Sequence, residues 1–304
     1  MDERIIPNYS ELKRLLLIIN PISGRRLSKQ RLSELIKIFS DAGYSVTVFP
    51  TGRRGDAAMY AELYSAGADL VVCVGGDGTL SETVTGLVRS GSGVPLGHIP
   101  AGSTNDFAIC HGLSADMLKA AENIVRGSER LIDVGSFGDA YFAYIAAFGA
   151  FSHLSYTTPQ NRKNVLGHSA YLLDAVRELP KLRAQHLRFD FDGFSCEGDY
   201  IFGAICNSTS VAGTISLPEK LVDTGDGKFE VLLVHEPQTV SDFQNLLLGL
   251  MTQDYSSPFL DLFHVSSLGI VSPSGLEWSL DGEYRRSGER TEMTVLGRRL
   301  RLMA

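Results

Sequence analysis

The chain has 304 residues, 44% of them hydrophobic, enough for a substantial core and in keeping with two domains of ordinary size. Its formal net charge of -7 argues against a nucleic-acid partner, which needs a basic excess or a dense basic stripe. The four cysteines, Cys73, Cys110, Cys196 and Cys206, form no C-x-x-C pair and read as buried thiols of a reducing compartment.

Met1 to Lys13 is charged and interrupted by Pro7, so no hydrophobic leader is expected and the protein is assigned to the cytosol. Leu15–Ile19 reads as a buried strand, and Leu32, Leu35, Ile36 and Phe39 then fall at i, i+3, i+4 and i+7 in a helix that Gly43 ends. The alternation continues with a strand over Val46–Phe49, a helix over Asp56–Ala66, a strand over Leu70–Val74, a helix over Thr79–Arg89 and a strand over Val94–Ile99. This βαβα order predicts an α/β domain with a parallel sheet covered by helices.

After Ile132 the period changes to two, in runs at Leu187–Phe191, Tyr200–Cys206, Phe229–Val234, Leu276–Leu280 and Met293–Leu296, with turn signals such as Asp192-Gly193 between them. The pattern predicts an antiparallel β domain over residues 133–304, following an α/β domain over 1–132. Helices at Val165–Leu179 and Val240–Met251 are expected to interrupt it, and residues 290–304 either complete it or return to the first domain. The uncharged stretch Ala140–Asn161 is long enough for a membrane span, but Ser152, His153, Ser155, Thr157 and Thr158 would strand polar groups in hydrocarbon. Any membrane contact is therefore expected to be peripheral.

Three polar turns follow predicted strands of the parallel sheet and so share its carboxyl edge, where such sheets bind ligands. Gly75-Gly76-Asp77-Gly78-Thr79 combines close backbone approach with a helix N-terminus and a carboxylate suited to a metal-bound phosphate; a capped strand-to-helix turn is the plainer alternative. Asn20-Pro21-Ile22-Ser23-Gly24-Arg25-Arg26 offers phosphate donors and positive charge, or a simple Pro-Gly turn. In Pro100-Ala101-Gly102-Ser103-Thr104-Asn105-Asp106, Asn105 is suited to a base, ribose or phosphate, although a helix cap also accounts for the cluster.

These turns, with Thr79-Leu80-Ser81-Glu82, Asn105-Asp106-Phe107-Ala108 and a late Asp281-Gly282-Glu283, resemble in order the diacylglycerol kinase catalytic family, which includes bacterial diacylglycerol and lipid kinases and eukaryotic sphingosine and ceramide kinases. Two positions depart from the family pattern: Ser103 stands where threonine is usual, and Ser81 where asparagine is frequent.

The resemblance implies an N-terminal domain similar to NAD kinases and phosphofructokinases, a C-terminal β-sandwich, and ATP with Mg²⁺ held between them. Asn20, Ser23, Thr51, Gly75, Gly76, Asp77, Gly78, Thr79, Glu82, Gly102, Ser103 and Asn105 would line the nucleotide site. Glu283 would take the proton from the lipid hydroxyl, Asp77 would serve the phosphate, and Asp133 would lie near the active site at the domain junction, although an ordinary Asp-Gly hairpin turn and a strand-end carboxylate also account for Glu283 and Asp133. Asp223, Asp226 and the carbonyl of Lys228 match an acidic loop that holds a structural Mg²⁺ in some members, although a solvent turn also explains them.

The expected activity is transfer of the ATP γ-phosphate to a membrane lipid, diacylglycerol foremost, giving phosphatidic acid at the inner membrane face. An NAD-kinase-like enzyme with a soluble acceptor and a nucleotide-binding regulator without catalysis are the alternatives. Arg285, Arg286, Arg290, Arg298, Arg299 and Arg301 are the first candidates for docking on anionic lipid, with a solvated face as the default alternative, and members of the family can form homodimers. The histidines lack metal-ligand spacing, and Phe142, Tyr144, Phe148 and Phe151 read as core rather than as an acyl channel.

Overall fold

Apolar runs without alternation need cover on both faces, and the first half of the chain supplies it. The computed structural model describes residues 12–24, 27–149, 183–211, 215–272 and 275–304. The expected helix at Val165–Leu179, together with Arg25, Arg26, Phe151 and the N-terminal segment before residue 12, lies outside the described residues. Two compact units emerge, one formed by the chain up to Val134 with Arg298–Ala304, the other by Gly135–Gly297.

In the first unit, strands β1 (Lys13–Ile19), β2 (Tyr44–Pro50), β3 (Leu70–Gly75) and β4 (Leu96–Pro100) lie in the order β4-β3-β1-β2, all parallel. Helices α1 (Leu27–Asp41), α2 (Asp56–Tyr64), α3 (Asp77–Ser90), α4 (Asp106–Cys110) and α5 (Met117–Arg126) connect them and carry the chain onward. Leu15, Leu17, Ile19, Val72 and Val74 pack on one face against Leu35 and Phe39 of α1 and Ala120, Ala121 and Ile124 of α5. The sequence reading did not anticipate α5, although its signals are local: Asp116 caps it by accepting the N–H groups of Leu118 and Lys119, and its buried residues share one face.

The second unit is antiparallel. It contains part of β5 (Glu129–Phe137), then β6 (Ala140–Phe142), β7 (Ile145–Gly149), β8 (Gln185–Phe191), β9 (Phe194–Cys206), β10 (Ser210–Val211), β11 (Ile215–Ser216) and β12 (Phe229–His235). Helix α6 (Val240–Thr252) follows, then β13 (Leu260–Val265), β14 (Ser267–Val271), β15 (Glu277–Leu280), β16 (Glu283–Arg286) and part of β17 (Arg290–Met303). Strand β9 is long because it changes partners: Phe194–Tyr200 pairs with β8, whereas the stretch to Cys206 pairs with β7 and β12. Phe142 and Phe148 are buried in this core, Phe142 against Phe229 at 5.4 Å between ring centroids and Phe148 against Trp278 at 5.0 Å, so both are core residues. Residues 290–304 serve both units: Ser267–Val271 pairs with the first part of β17, and Leu302 and Met303 pair with Leu96 and Gly97 of β4.

Candidate active site

Because β1 to β4 are parallel, the turns that follow them share one edge of the first sheet. Hydrogen bonds tie these turns together. The Asn20 N–H donates to the carbonyl of Val74 at 2.9 Å, and its side-chain amide donates to the Thr79 hydroxyl at 3.3 Å, fastening the first turn to the glycine turn. Its carbonyl accepts the hydroxyls of Ser23 and Ser28, each at 2.7 Å. Ser28 is fully buried and was not singled out from sequence; a serine inside an amphipathic helix carries no distinguishing local signal.

Helix α3 begins at Asp77, two residues before the expected start, because Gly76 in an extended conformation occupies the cap position without a side-chain cap. Thr79 is thus inside the first turn, where its hydroxyl receives Asn20 rather than capping the helix. The first-turn N–H groups of such a helix lack intrahelical acceptors, which suits them to an anion. Asp77 stands among them, half-buried, and accepts the Phe107 N–H at 3.3 Å. Burial raises its carboxyl above the ordinary range, while the N–H groups of Phe107, Asp106 and Asn105 oppose that rise.

The turn after β4 packs directly on the glycine turn. A Cβ placed on Gly102 would lie 2.6 Å from the Gly76 Cα, and the Ala101 N–H donates to the Gly75 carbonyl at 2.8 Å. Asn105 adopts the left-handed conformation, with φ of 56°, and does not cap α4 through its side chain. Instead its amide grips Gly102 from both sides, accepting the N–H at 2.8 Å and donating to the carbonyl at 3.1 Å. The turn after β2 is likewise held. Asp56 accepts the N–H groups of Gly52 and Arg53, which keep its carboxyl below the ordinary range. Glu82 reaches from α3 to accept Gly55 N–H at 2.8 Å and Ala57 N–H at 3.2 Å, and so supports the N-terminus of α2 and the turn that carries Thr51.

In the second unit, Asp281 and Gly282 form a two-residue hairpin turn with φ of 47° and 91°, the signature of a type I′ turn. The buried Asp281 carboxylate accepts three backbone N–H groups, from Ala143 at 2.6 Å and from Tyr144 and Ile145 at 3.1 Å. Asp281 therefore fastens the hairpin to the chain entering β7. Glu283, half-buried, begins the return strand opposite Leu280.

The chain is similar to known proteins. Residues 14–137 match the model of the diacylglycerol kinase catalytic domain. A diacylglycerol kinase of Bacillus subtilis is 32% identical over 276 residues, covering 90% of each chain, and one of Staphylococcus aureus is 30% identical over 274 residues, covering 90% of this chain and 86% of its own. The chain belongs to the diacylglycerol kinase family. Two Bacillus anthracis crystal structures share its fold: one described as a diacylglycerol kinase has a TM-score of 0.76 at 19% identity, over 96% of this chain and 97% of its own. The other has a TM-score of 0.80 at 22% identity, over 98% and 97%.

In this diacylglycerol kinase family member, the remaining expected residues fall in different settings. Asp133 is fully buried in β5, and its carboxylate accepts the Arg298 backbone N–H at 2.5 Å. Asp223 and Asp226 each accept a nearby N–H, from Gly225 at 3.0 Å and Lys228 at 2.9 Å, which shapes their loop. Among the described residues, no group of three or more His, Cys, Asp or Glu side chains is arranged to hold a metal ion, and no helix is long and apolar enough to cross a membrane.

The arginines expected to form one docking patch are divided among internal partners. Arg299 donates to the Val88 carbonyl, Arg301 to both oxygens of Glu129 and the Gly93 carbonyl, and Arg290 to Asp190 and Glu292. Arg285 and Arg286 remain exposed on β16.

Proposed function

We propose that the protein transfers the γ-phosphoryl group of ATP to a hydroxyl of a membrane glycerolipid, with diacylglycerol as acceptor and phosphatidic acid as product. The observation that carries this reading is the joined edge of the first sheet. There the turns bearing Asn20, Gly76-Asp77 and Gly102–Asn105 are bonded to one another around a helix N-terminus. Phosphoryl transfer needs positioning and charge stabilisation more than covalent help, and a rigid cradle of backbone donors supplies both. The relatives named diacylglycerol kinase support the choice of acceptor.

In the transfer the acceptor oxygen forms a bond to the γ-phosphorus, the bond to the β-phosphate oxygen breaks, and ADP departs. The hydroxyl proton passes to the carboxylate of Glu283, the role the family resemblance gives it. Mg²⁺ brought with the nucleotide would neutralise charge on the phosphates, and Asp77 is the residue suited to hold it. A single carboxylate with phosphate oxygens and waters fits the way Mg²⁺ is usually bound at such sites. Contact with the membrane is peripheral, on the cytoplasmic face.

The test is a transfer assay offering diacylglycerol, other lipids and NAD side by side to wild type and Glu283→Gln. Wild type should phosphorylate diacylglycerol, while the variant keeps ATP binding and loses about two orders of magnitude in rate, the scale of general-base catalysis. An unchanged rate in Glu283→Gln would remove the base assignment, and a preference for NAD would remove the lipid.

A further inference from the structure

Three oxygens meet behind the turn that follows β1. The Asn20 carbonyl accepts the hydroxyls of Ser23 and Ser28, each at 2.7 Å, and the Ser23 N–H at 3.2 Å. The two hydroxyl oxygens lie 3.2 Å apart, and the Ser28 hydroxyl is 3.4 Å from the Ser23 carbonyl. Ser28 has no exposed surface, whereas Ser23 is half-buried. A serine hydroxyl has one hydrogen to give. The shortest contacts take both hydrogens to the Asn20 carbonyl, so the Ser23 hydroxyl is left able to accept but not to donate.

A phosphate oxygen offers lone pairs and needs a donor. For Ser23 to serve the nucleotide, its hydroxyl hydrogen must turn away from Asn20. The penalty for that turn depends on what the carbonyl keeps, because a part-buried acceptor stripped of its donors is unfavourable. Here it keeps Ser28. We infer that Ser28 is a positioning residue for nucleotide binding: its hydroxyl stays on the Asn20 carbonyl and thereby frees the Ser23 hydroxyl to donate to phosphate. That carbonyl belongs to the residue whose N–H and side-chain amide fasten the turn to Val74 and Thr79, so Ser28 keeps the fastening in place while Ser23 changes partner. The inference rests on the proposed binding of ATP at this edge. It adds a buried residue of α1 that acts through Ser23 rather than by touching the ligand.

A double-mutant cycle tests it. Wild type, Ser23→Ala, Ser28→Ala and the double variant, each as the full chain, are measured by calorimetry for the Kd of ATP with Mg²⁺, and by thermal melting without nucleotide to confirm the fold. Ser23→Ala should weaken ATP by about tenfold or more, the loss of one hydrogen bond to a charged group. Ser28→Ala should weaken it by about three- to tenfold where Ser23 is present, because Ser23 must then leave the carbonyl with only its own N–H. In the Ser23→Ala background the same substitution should change the Kd by less than about twofold. A residue that merely supports the turn would weaken ATP by the same factor in both backgrounds, and that result would overturn the inference. So would wild-type affinity in Ser28→Ala, or in Ser23→Ala, since Ser23 would then not be the donor. If Ser28→Ala does not fold, Ser28→Cys, whose thiol is only a weak donor, replaces it in the cycle with the same outcomes. A wild type that binds ATP without phosphorylating diacylglycerol leaves the cycle readable and removes only the acceptor assignment. A wild type that binds no ATP removes the nucleotide site and this inference together.

Discussion

Glu82 offers a direct test of whether a motif residue meets the ligand or holds the frame. Its two oxygens accept the N–H groups of Gly55 and Ala57 at the start of α2, so Glu82→Ala leaves those donors without their acceptor. A hydrogen bond to a charged group contributes about 1.5–3 kcal/mol, and the Gly55 bond is solvent-exposed, so the pair is expected to contribute about 3 kcal/mol. At about 2–4 °C per kcal/mol, melting of the first unit should fall by roughly 6–12 °C in scanning calorimetry. Glu82→Gln, which presents one acceptor oxygen in place of two, should lose about half as much. Saturating ATP should still bind, with affinity reduced through the loosened Thr51 turn rather than through a lost contact. An alanine variant that melts with wild type yet no longer binds ATP would refute this reasoning and make Glu82 a nucleotide ligand.

Other outcomes follow from the same geometry. Asp281→Ala removes the acceptor of three backbone N–H groups in the second unit, and unfolding in urea should show a loss of about 3–5 kcal/mol, whereas a loss below 1 kcal/mol would mean that the hairpin is anchored elsewhere. Gly102→Ala would place a Cβ 2.6 Å from the Gly76 Cα and 2.7 Å from the Asn105 Oδ1, so the two turns must separate, and calorimetric ATP binding should weaken by about tenfold or more. Burial pushes His98 and His111 down from 6.5 to about 4. The unfolded chain therefore binds more protons in that window, and stability should decline as pH falls from about 6.5 to about 4. Replacing both histidines by phenylalanine should flatten that decline in thermal melts at graded pH, and an unchanged slope would reject their part in it.

The turns at the carboxyl edge of the first sheet were legible because their signals are local. Glycines, a hydroxyl and a carboxylate sit within five residues of a buried apolar strand, and the βαβ alternation alone places all such turns at one sheet edge. The start of α3 was less legible: Thr79 has the chemistry of a cap, but Gly76 takes that position. In the second unit, β13 and β14 escaped the periodicity reading. Their exposure does not alternate cleanly, with three half-buried residues in succession in β13 and three fully buried ones in β14.

By itself the sequence determined the two-part plan, the parallel sheet and the polar turns at its carboxyl edge, because period and turn chemistry act within a few residues. Only the tertiary structure decided what each acidic residue does. Glu82 holds a helix start 27 residues away, Asp281 a strand entry 138 residues away, and Asp133 the backbone of Arg298 165 residues away. A carboxylate reads the same in sequence whether it awaits a ligand or accepts a distant N–H. Which it does is settled by burial and by donors that the fold brings from elsewhere in the chain.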